Sequence, residues 1–320
     1  MATPDQRPDP PSADGESSVA TSADTDAVGL AVDTASAAAV VISVPAAPNK
    51  KRRIGFWLAV GWLVAVVVGA ILADVLPLRD PNAQTIVNRL SKPGQNGYLL
   101  GADPNGRDIL ARLIFGARVS LIVSVTAVTV GSVVGGALGL TAGFFRGWYE
   151  RLVMSAVDVV LAFPALVLLL ALVAFMGQSL RIISGVIGFL AIPTYARVAR
   201  ATTLTISQRE YVLAARAMGA KSTRILIKEL LPNVMLPVLA FGLVALGLVI
   251  VAEGSLAFLG LSVQFPTPTW GAMIAEGKIH LRRAPHISLI PSMAMLLTVL
   301  SINYVGDSLR SRFDVRESSL

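Results

Sequence analysis

Six long apolar runs constrain what this chain can fold into more than any other feature of its sequence. They cover residues 54–77, 119–144, 152–176, 182–199, 234–261 and 287–306. A helix needs about 20 mostly apolar residues to cross the hydrocarbon core of a bilayer. The fourth run is the shortest, and Pro193 interrupts it. The pattern predicts an all-α polytopic membrane protein with six transmembrane helices.

Residues 1–49 differ in composition from the rest of the chain. They hold seven acidic residues and one arginine among many alanines, serines, prolines and threonines. Because such a segment cannot bury enough apolar surface to fold, we predict a disordered cytoplasmic extension. The other boundaries follow from the runs: a first transmembrane helix at 50–78, an external loop with an interfacial helix at 79–118, a membrane core at 119–309 containing a cytoplasmic loop at 197–232, and a cytoplasmic tail at 310–320.

Lysine and arginine residues near the ends of the runs predict that both termini are cytoplasmic. Cytoplasmic loops of membrane proteins carry an excess of these residues. With the N-terminus inside, the cytoplasmic segments hold 16 of them and the external segments ten, with Arg7 not counted. The net charge of +7 is then explained by topology in a lipid membrane. No nucleic-acid partner is needed to account for it.

The basic loop 197–232 carries a helical pattern outside the apolar runs. Tyr211, Ala214, Ala215 and Met218 are spaced so that they share one helical face, and Gly219 is placed to end that helix. Further along, Ser222 is a predicted N-cap and Pro232 the exit from a second short helix. A pair of short helices outside the bilayer suits a surface that another protein binds and through which it transmits force.

Three blocks of residues carry specific patterns. The first is Ala214-Ala215-x-x-x-Gly219 followed by Leu231-Pro232. The second runs from Leu100-Gly-Ala-Asp-Pro-Asn-Gly-Arg107 to Arg118-Val-Ser-Leu. The third is Ala252-Glu253-Gly-Ser-Leu-Ala-Phe-Leu-Gly260 with Pro266-Thr-Pro268-Thr-Trp270-Gly271 after it. Together these blocks extend from Tyr98 to the last run. They resemble the C-type permease subunits of bacterial dipeptide and oligopeptide ATP-binding cassette (ABC) importers.

This resemblance implies an ABC importer permease core with one extra N-terminal helix, in the bacterial cytoplasmic membrane. It implies a heterodimer with a second related permease, an external substrate-binding protein, and ATP-binding subunits that hold the ATP and Mg²⁺, so that this chain binds no cofactor itself. The implied cargo is a di- or oligopeptide, although relatives carry other cargo, including nickel. The residues implied in coupling to the ATP-binding subunits are Glu210, Tyr211, Ala214, Ala215, Met218, Gly219 and Pro232.

Two features within the runs have both a packing and a functional interpretation. Gly131, Gly135, Gly139 and Gly143 recur at every fourth residue, which predicts a close helix-packing seam with an unspecified neighbour. Asp158 and Glu253 lie inside the third and fifth runs, where ionisable groups normally face a bundle interior or water. They are either pathway or proton-relay residues or buried hydrogen-bonding groups. For an importer driven by ATP, the buried hydrogen-bonding interpretation is preferred.

The segment before the second run predicts a turn and a short helix. Asp103-Pro104-Asn105-Gly106 has the residues of a type I turn. Ile109, Leu110, Leu113, Ile114 and Ala117 then form an apolar stripe, with Arg107, Asp108 and Arg112 largely opposite. This pattern is typical of a helix lying in the membrane interface.

Other functional classes have little support in the sequence. His280 and His286, with Glu276, lack a specific metal-ligand spacing, so no metal site is predicted. Gly219-Ala-Lys221-Ser222-Thr223 is like the end of a phosphate-binding loop, but Ala220 separates glycine from lysine and no strand precedes it. A secondary transporter or channel would need charged pairs at the membrane midplane. An intramembrane enzyme would need a nucleophile and a base within the bilayer.

Overall fold

The protein is a bundle of long helices in the part of the chain that the structure describes. The computed structural model describes the backbone of residues 50–317 and the side chains of residues 54–308, so the predicted extension at 1–49 lies outside the described residues. The helices are α1 Lys50–Leu72, α2 Ile109–Phe145, α3 Gly147–Leu161, α4 Ala165–Met176, α5 Leu180–Ile206, α6 Glu210–Ala217, α7 Ser222–Phe258, α8 Trp270–Gly277 and α9 His286–Glu317.

The long apolar helices account for the predicted membrane spans. Among the described residues, α1, α2, α5, α7 and the part of α9 at His286–Ser308 are each long and apolar enough to cross a bilayer. The short pair α3 and α4 makes a sixth span if its two helices are counted together. No β-strand occurs between residues 50 and 317, where strand-like pairing is confined to a bridge between Ala102 and Asp108.

The third run is broken rather than straight, which corrects the prediction of one continuous helix. Helices α3 and α4 meet at an angle of 83°. The chain leaves helical geometry at Pro164, which has φ −56° and ψ 120° and precedes the first residue of α4. Proline lacks the backbone N–H that a continuing helix would need and clashes with the preceding turn. The break therefore follows from one residue inside an otherwise uniform apolar run.

The predicted interfacial helix is also wrong, because residues 109–117 form the first turns of α2. The helix continues without interruption to Phe145, through a π-helical segment at Gly131–Gly135. Asp108 caps it by accepting a hydrogen bond from Leu110 N at 3.0 Å. The predicted turn does form, with Gly106 N donating to Asp103 O at 3.0 Å.

Arg107 and Arg112 are buried, whereas the predicted interfacial helix placed them on its polar face. Arg107 Nε lies 2.5 Å from Asp103 Oδ2, and Arg107 Nη2 lies 2.7 Å from Glu276 Oε2. Arg112 contacts the same two carboxylates at 3.4 Å and 3.6 Å. Two carboxylates neutralise two guanidinium groups, and a buried charge is tolerated when it is paired in this way. The cluster joins the segment before α2 to α8.

The four glycines at 131, 135, 139 and 143 lie against α5 of the same chain. A Cβ atom built on Gly131 would lie 2.6 Å from the Tyr195 ring, and one on Gly135 would lie 2.5 Å from Ile192 O. The equivalent atoms on Gly139 and Gly143 would meet the backbone or side chains of residues 196–203. Helix α2 thus approaches the backbone of α5 at a distance that only glycine permits.

Candidate functional site

Helix α6 is anchored to the bundle by side chains that sequence periodicity did not single out. Val212 is fully buried and belongs to a core cluster that also contains Ile225, Leu230 and Val234 of α7. Ala215, one turn later, is half-buried against the same cluster. Ala215 therefore packs partly against its own chain, whereas the predicted helical face assigned it to a partner.

The outer face of α6 is exposed and largely apolar. Tyr211, Ala214 and Met218 lie on it as the spacing predicts, and Leu213 extends it. Met218 has 81% of its side chain exposed. Glu210 stands in the first turn, where a carboxylate interacts favourably with the helix dipole. Helix α6 therefore presents a small exposed apolar surface, and its buried side chains fix it to the bundle.

Gly219 ends α6 with a left-handed turn. Its φ is +77°, and Ala220 N donates to Ala215 O at 3.0 Å, which closes the helix end. No heavy atom lies within 4 Å of a Cβ built on Gly219. The glycine is therefore required by backbone conformation and not by crowding.

The second short helix of the predicted pair does not exist as a separate element. Lys221 occupies the N-cap position that was predicted for Ser222, and Ser222 is the first residue of α7. Pro232 is likewise not an exit, because α7 continues to Phe258. A π-helical segment at Ile225–Leu230 precedes the proline. Proline is tolerated where the ladder of hydrogen bonds is already adjusted in this way. Helix α6 therefore connects through one turn to a membrane span.

Asp158 and Glu253 have opposite environments. Asp158 is exposed and forms an ion pair with Arg197 of α5, with 2.6 Å between Oδ1 and Nη2. The prediction that Asp158 is buried in its own chain is wrong. Glu253 is 1% exposed and accepts hydrogen bonds from Ser120 at 3.3 Å and Ser262 at 3.2 Å. These hydrogen bonds connect α2, α7 and the loop before α8, as a packing role requires.

The two histidines do not assemble a metal centre. His286 Nε2 lies 3.1 Å from the backbone oxygen of Ser91. Within the described range, no three histidine or acidic side chains are grouped closely enough to hold an ion.

Comparisons with known proteins agree with this architecture. Residues 135–318 match the family described as "Binding-protein-dependent transport system inner membrane component". The chain is 37% identical over 263 residues to the glutathione transport system permease protein GsiD of Pectobacterium atrosepticum, covering 82% of this chain and 87% of the relative. It is 36% identical over 253 residues to GsiD of Escherichia coli O6:K15:H31, covering 79% and 84%.

A solved structure has the same fold. It is an inward-facing form of the MetNI methionine ABC transporter, matched with a TM-score of 0.53 at 21% identity. The match covers 62% of this chain and 95% of the other.

Proposed function

The chain belongs to the binding-protein-dependent transport family of inner membrane components, and we propose that its cargo is a small peptide. Membership makes it a multi-pass membrane subunit of an ABC importer. Such a permease works with a partner permease, ATP-binding subunits and a substrate-binding protein. We further propose that the partner is a second, related permease, that both termini are cytoplasmic, and that ATP and Mg²⁺ are held by the ATP-binding subunits.

The exposed face of α6 supports its role as the contact with the ATP-binding subunits. Tyr211, Leu213 and Met218 present apolar side chains to the outside, where an unpartnered surface of this kind is typical of a protein interface. Residues 209–228 also carry five basic side chains and one acidic side chain. The loop therefore offers an apolar centre with a basic surround, and it suits a partner with an acidic rim.

Coupling follows from how α6 is attached. Val212 belongs to the core cluster that also includes Tyr195 of α5 and Val238 of α7, so a force on α6 can pass through packed side chains to both long helices. Packed interfaces move as units because close-packed side chains compress little. Movement of the ATP-binding subunits is thus transmitted through Val212 and the one-turn link at Gly219 into the spans that form the path.

The peptide cargo rests on the relatives. Both relatives named above are glutathione transport permeases, and glutathione is a small peptide. The sequence blocks at 100–121 and 252–271 resemble dipeptide and oligopeptide permeases as well. We propose small zwitterionic peptides as the class of cargo.

Surface substitutions on α6 test the coupling role without disturbing the core. Ala214→Glu and Met218→Asp place charge on the exposed face, and we expect at least a fivefold loss of ATP-binding subunits that co-purify with the chain. Ile279→Asp is the matched control, since Ile279 is 79% exposed and lies far from α6 in sequence, on the segment Lys278–His280. Unchanged co-purification in both α6 variants would contradict the proposal.

Uptake measurements test the cargo. The complete complex in proteoliposomes should accumulate alanyl-leucine or glutathione when the binding protein and ATP are supplied. Accumulation of nickel with neither peptide would contradict the proposed cargo while leaving the coupling role intact.

A further inference from the structure

The ion pair between Asp158 and Arg197 connects α3 to α5 and is exposed on the surface of the bundle. The side chains are 61% and 55% exposed. At 1.5 Å per residue, Asp158 is about 16 Å from the start of α3, and Arg197 is about 14 Å from the end of α5. Both residues therefore lie within the predicted spans 152–176 and 182–199, and Arg197 lies near the cytoplasmic end of the second.

Lipid is a poor environment for this pair. A charged side chain near the centre of a membrane helix costs about 2.5–3.5 kcal/mol, and such residues face a bundle interior or a water-filled cavity. The bundle of this chain leaves both side chains exposed. Something outside the chain, either water or a polar partner, must cover them.

The broken span gives a second, independent sign that this surface does not face lipid. Helix α3 ends at Leu161, one turn after Asp158, and the chain bends by 83° before α4. Phe163 and Pro164 at the bend are exposed. Non-helical backbone at membrane depth is tolerated only where it is buried in protein or lines a water-filled cavity. The bend and the ion pair therefore mark one surface that protein or water, rather than lipid, covers.

An apolar cavity lies between the helices that carry the pair, and neither Asp158 nor Arg197 lines it. Its volume is about 290 Å³, and only apolar side chains from α2, α3 and α5 line it. Val157 and Val160 come from the turn that carries Asp158, and Pro193 lies one turn before Arg197. A wall of this kind accepts an uncharged side chain and offers it no hydrogen bond.

We propose that Asp158 and Arg197 line the translocation path and bind the charged termini of a passing peptide. Asp158 accepts hydrogen bonds from the terminal ammonium group, Arg197 donates to the terminal carboxylate, and the apolar cavity holds one side chain. The proposal deepens the peptide-transport function and rests on it. A neutral zwitterion such as alanyl-leucine replaces one ion pair by two, so charge stays balanced as it enters. The pair closes again when the peptide leaves, which keeps the site from trapping its cargo.

Neutralising variants of the complete reconstituted complex test the binding role. With whichever of alanyl-leucine and glutathione the wild type accumulates, Asp158→Asn and Arg197→Gln should each lower uptake at least tenfold. Asp74→Asn is the control, because it breaks another exposed ion pair, with Arg118 at 2.7 Å. The control should stay within twofold of wild type. Unchanged uptake in both neutralising variants would overturn the proposal.

A charge swap separates binding from a structural role. Asp158→Arg combined with Arg197→Asp rebuilds an ion pair with reversed polarity. Uptake should stay low in the swap while co-purification of the second permease is normal in all variants. Full uptake in the swap, or loss of the second permease from the single variants, would overturn the proposal in favour of a packing or partner contact.

Cysteine labelling tests the water-lined position without a transport assay. The chain contains no cysteine, so Arg197→Cys gives a single thiol in this subunit. A membrane-impermeant cationic thiol reagent should label it and should not label Leu58→Cys, a position on α1 that is 70% exposed. Absence of labelling at position 197 would overturn the proposal. A wild type that takes up neither peptide would instead refute the proposed cargo, so the two failures are distinguishable.

Discussion

The packing of α2 against α5 predicts opposite effects for the same glycine-to-alanine change at two places. A Cβ on Gly135 would lie 2.5 Å from Ile192 O, 2.8 Å from Tyr195 Cβ and 3.1 Å from Ala196 N. Two of these three atoms belong to the backbone of α5, so no side-chain rotation can relieve the contact. Restoring a van der Waals distance requires the helices to separate by about 0.7 Å.

The expected energies come from two competing terms. Overpacking costs about 1–3 kcal/mol, and replacing a helical glycine by alanine gains about 0.5–1 kcal/mol. The sum for Gly135→Ala is a loss of up to about 2.5 kcal/mol. Gly61→Ala on α1 is the matched control, because nothing lies within 4 Å of its Cβ position. Only the gain of about 0.5–1 kcal/mol applies there.

Thermal unfolding of the detergent-solubilised complex, followed by a fluorescent tag on this chain, measures the difference. The midpoint for Gly135→Ala should fall by up to about 10 °C, taking about 2–4 °C per kcal/mol. The midpoint for Gly61→Ala should stay level or rise. Equal shifts for the two variants, or a rise for Gly135→Ala, would show that the seam does not limit the approach of α2 to α5.

Three further predictions concern the link after α6, the buried carboxylate and the topology. Gly219→Val should cost about 1–2 kcal/mol through its left-handed φ of +77° and lower substrate-stimulated ATP hydrolysis. Gly219→Asn, which tolerates that conformation, should retain the activity, and equal loss in both would disprove a conformational role. Glu253→Leu should lower the unfolding midpoint because the hydroxyls of Ser120 and Ser262 lose their acceptor, at about 1–3 kcal/mol each. The unfolding midpoint of Glu253→Gln should be close to that of the wild type. A midpoint as low as that of Glu253→Leu would refute this account. Reporters after Arg316 or within 201–230 should be cytoplasmic and those near Gln95 or Lys278 external, and an external signal from 201–230 would reverse the topology.

The sequence was sufficient wherever the decisive signal was local. Uninterrupted apolar residues located the spans, and Gly219 marked the end of α6 because a left-handed turn after a helix favours glycine. Pro164 is also a local signal, yet the apolar residues around it concealed the break between α3 and α4. Pro232 led to the opposite error. It predicts the end of a helix, but α7 continues through it because a π-helical segment precedes it.

The remaining features depend on residues that are distant in the chain. Arg107 and Glu276 are 169 positions apart, so periodicity alone assigned Arg107 to a polar face. Arg197, the partner of Asp158, is 39 positions away on another helix. The glycine stripe predicted a close contact but could not identify α5 as the neighbour. Charged pairs and helix neighbours are set by tertiary packing, which a single sequence does not display.

ATP-driven uptake in proteoliposomes is the most direct test of this chain as the membrane subunit of a peptide importer. The complex would be reconstituted from this chain, the second permease, the ATP-binding subunits and the binding protein, with ATP enclosed in the lumen of vesicles that expose the binding-protein side. The account predicts accumulation of alanyl-leucine or glutathione against its gradient, abolished when the binding protein or ATP is omitted and reduced at least fivefold by Met218→Asp. Accumulation that persists without ATP, or that is unaffected by Met218→Asp, would contradict it.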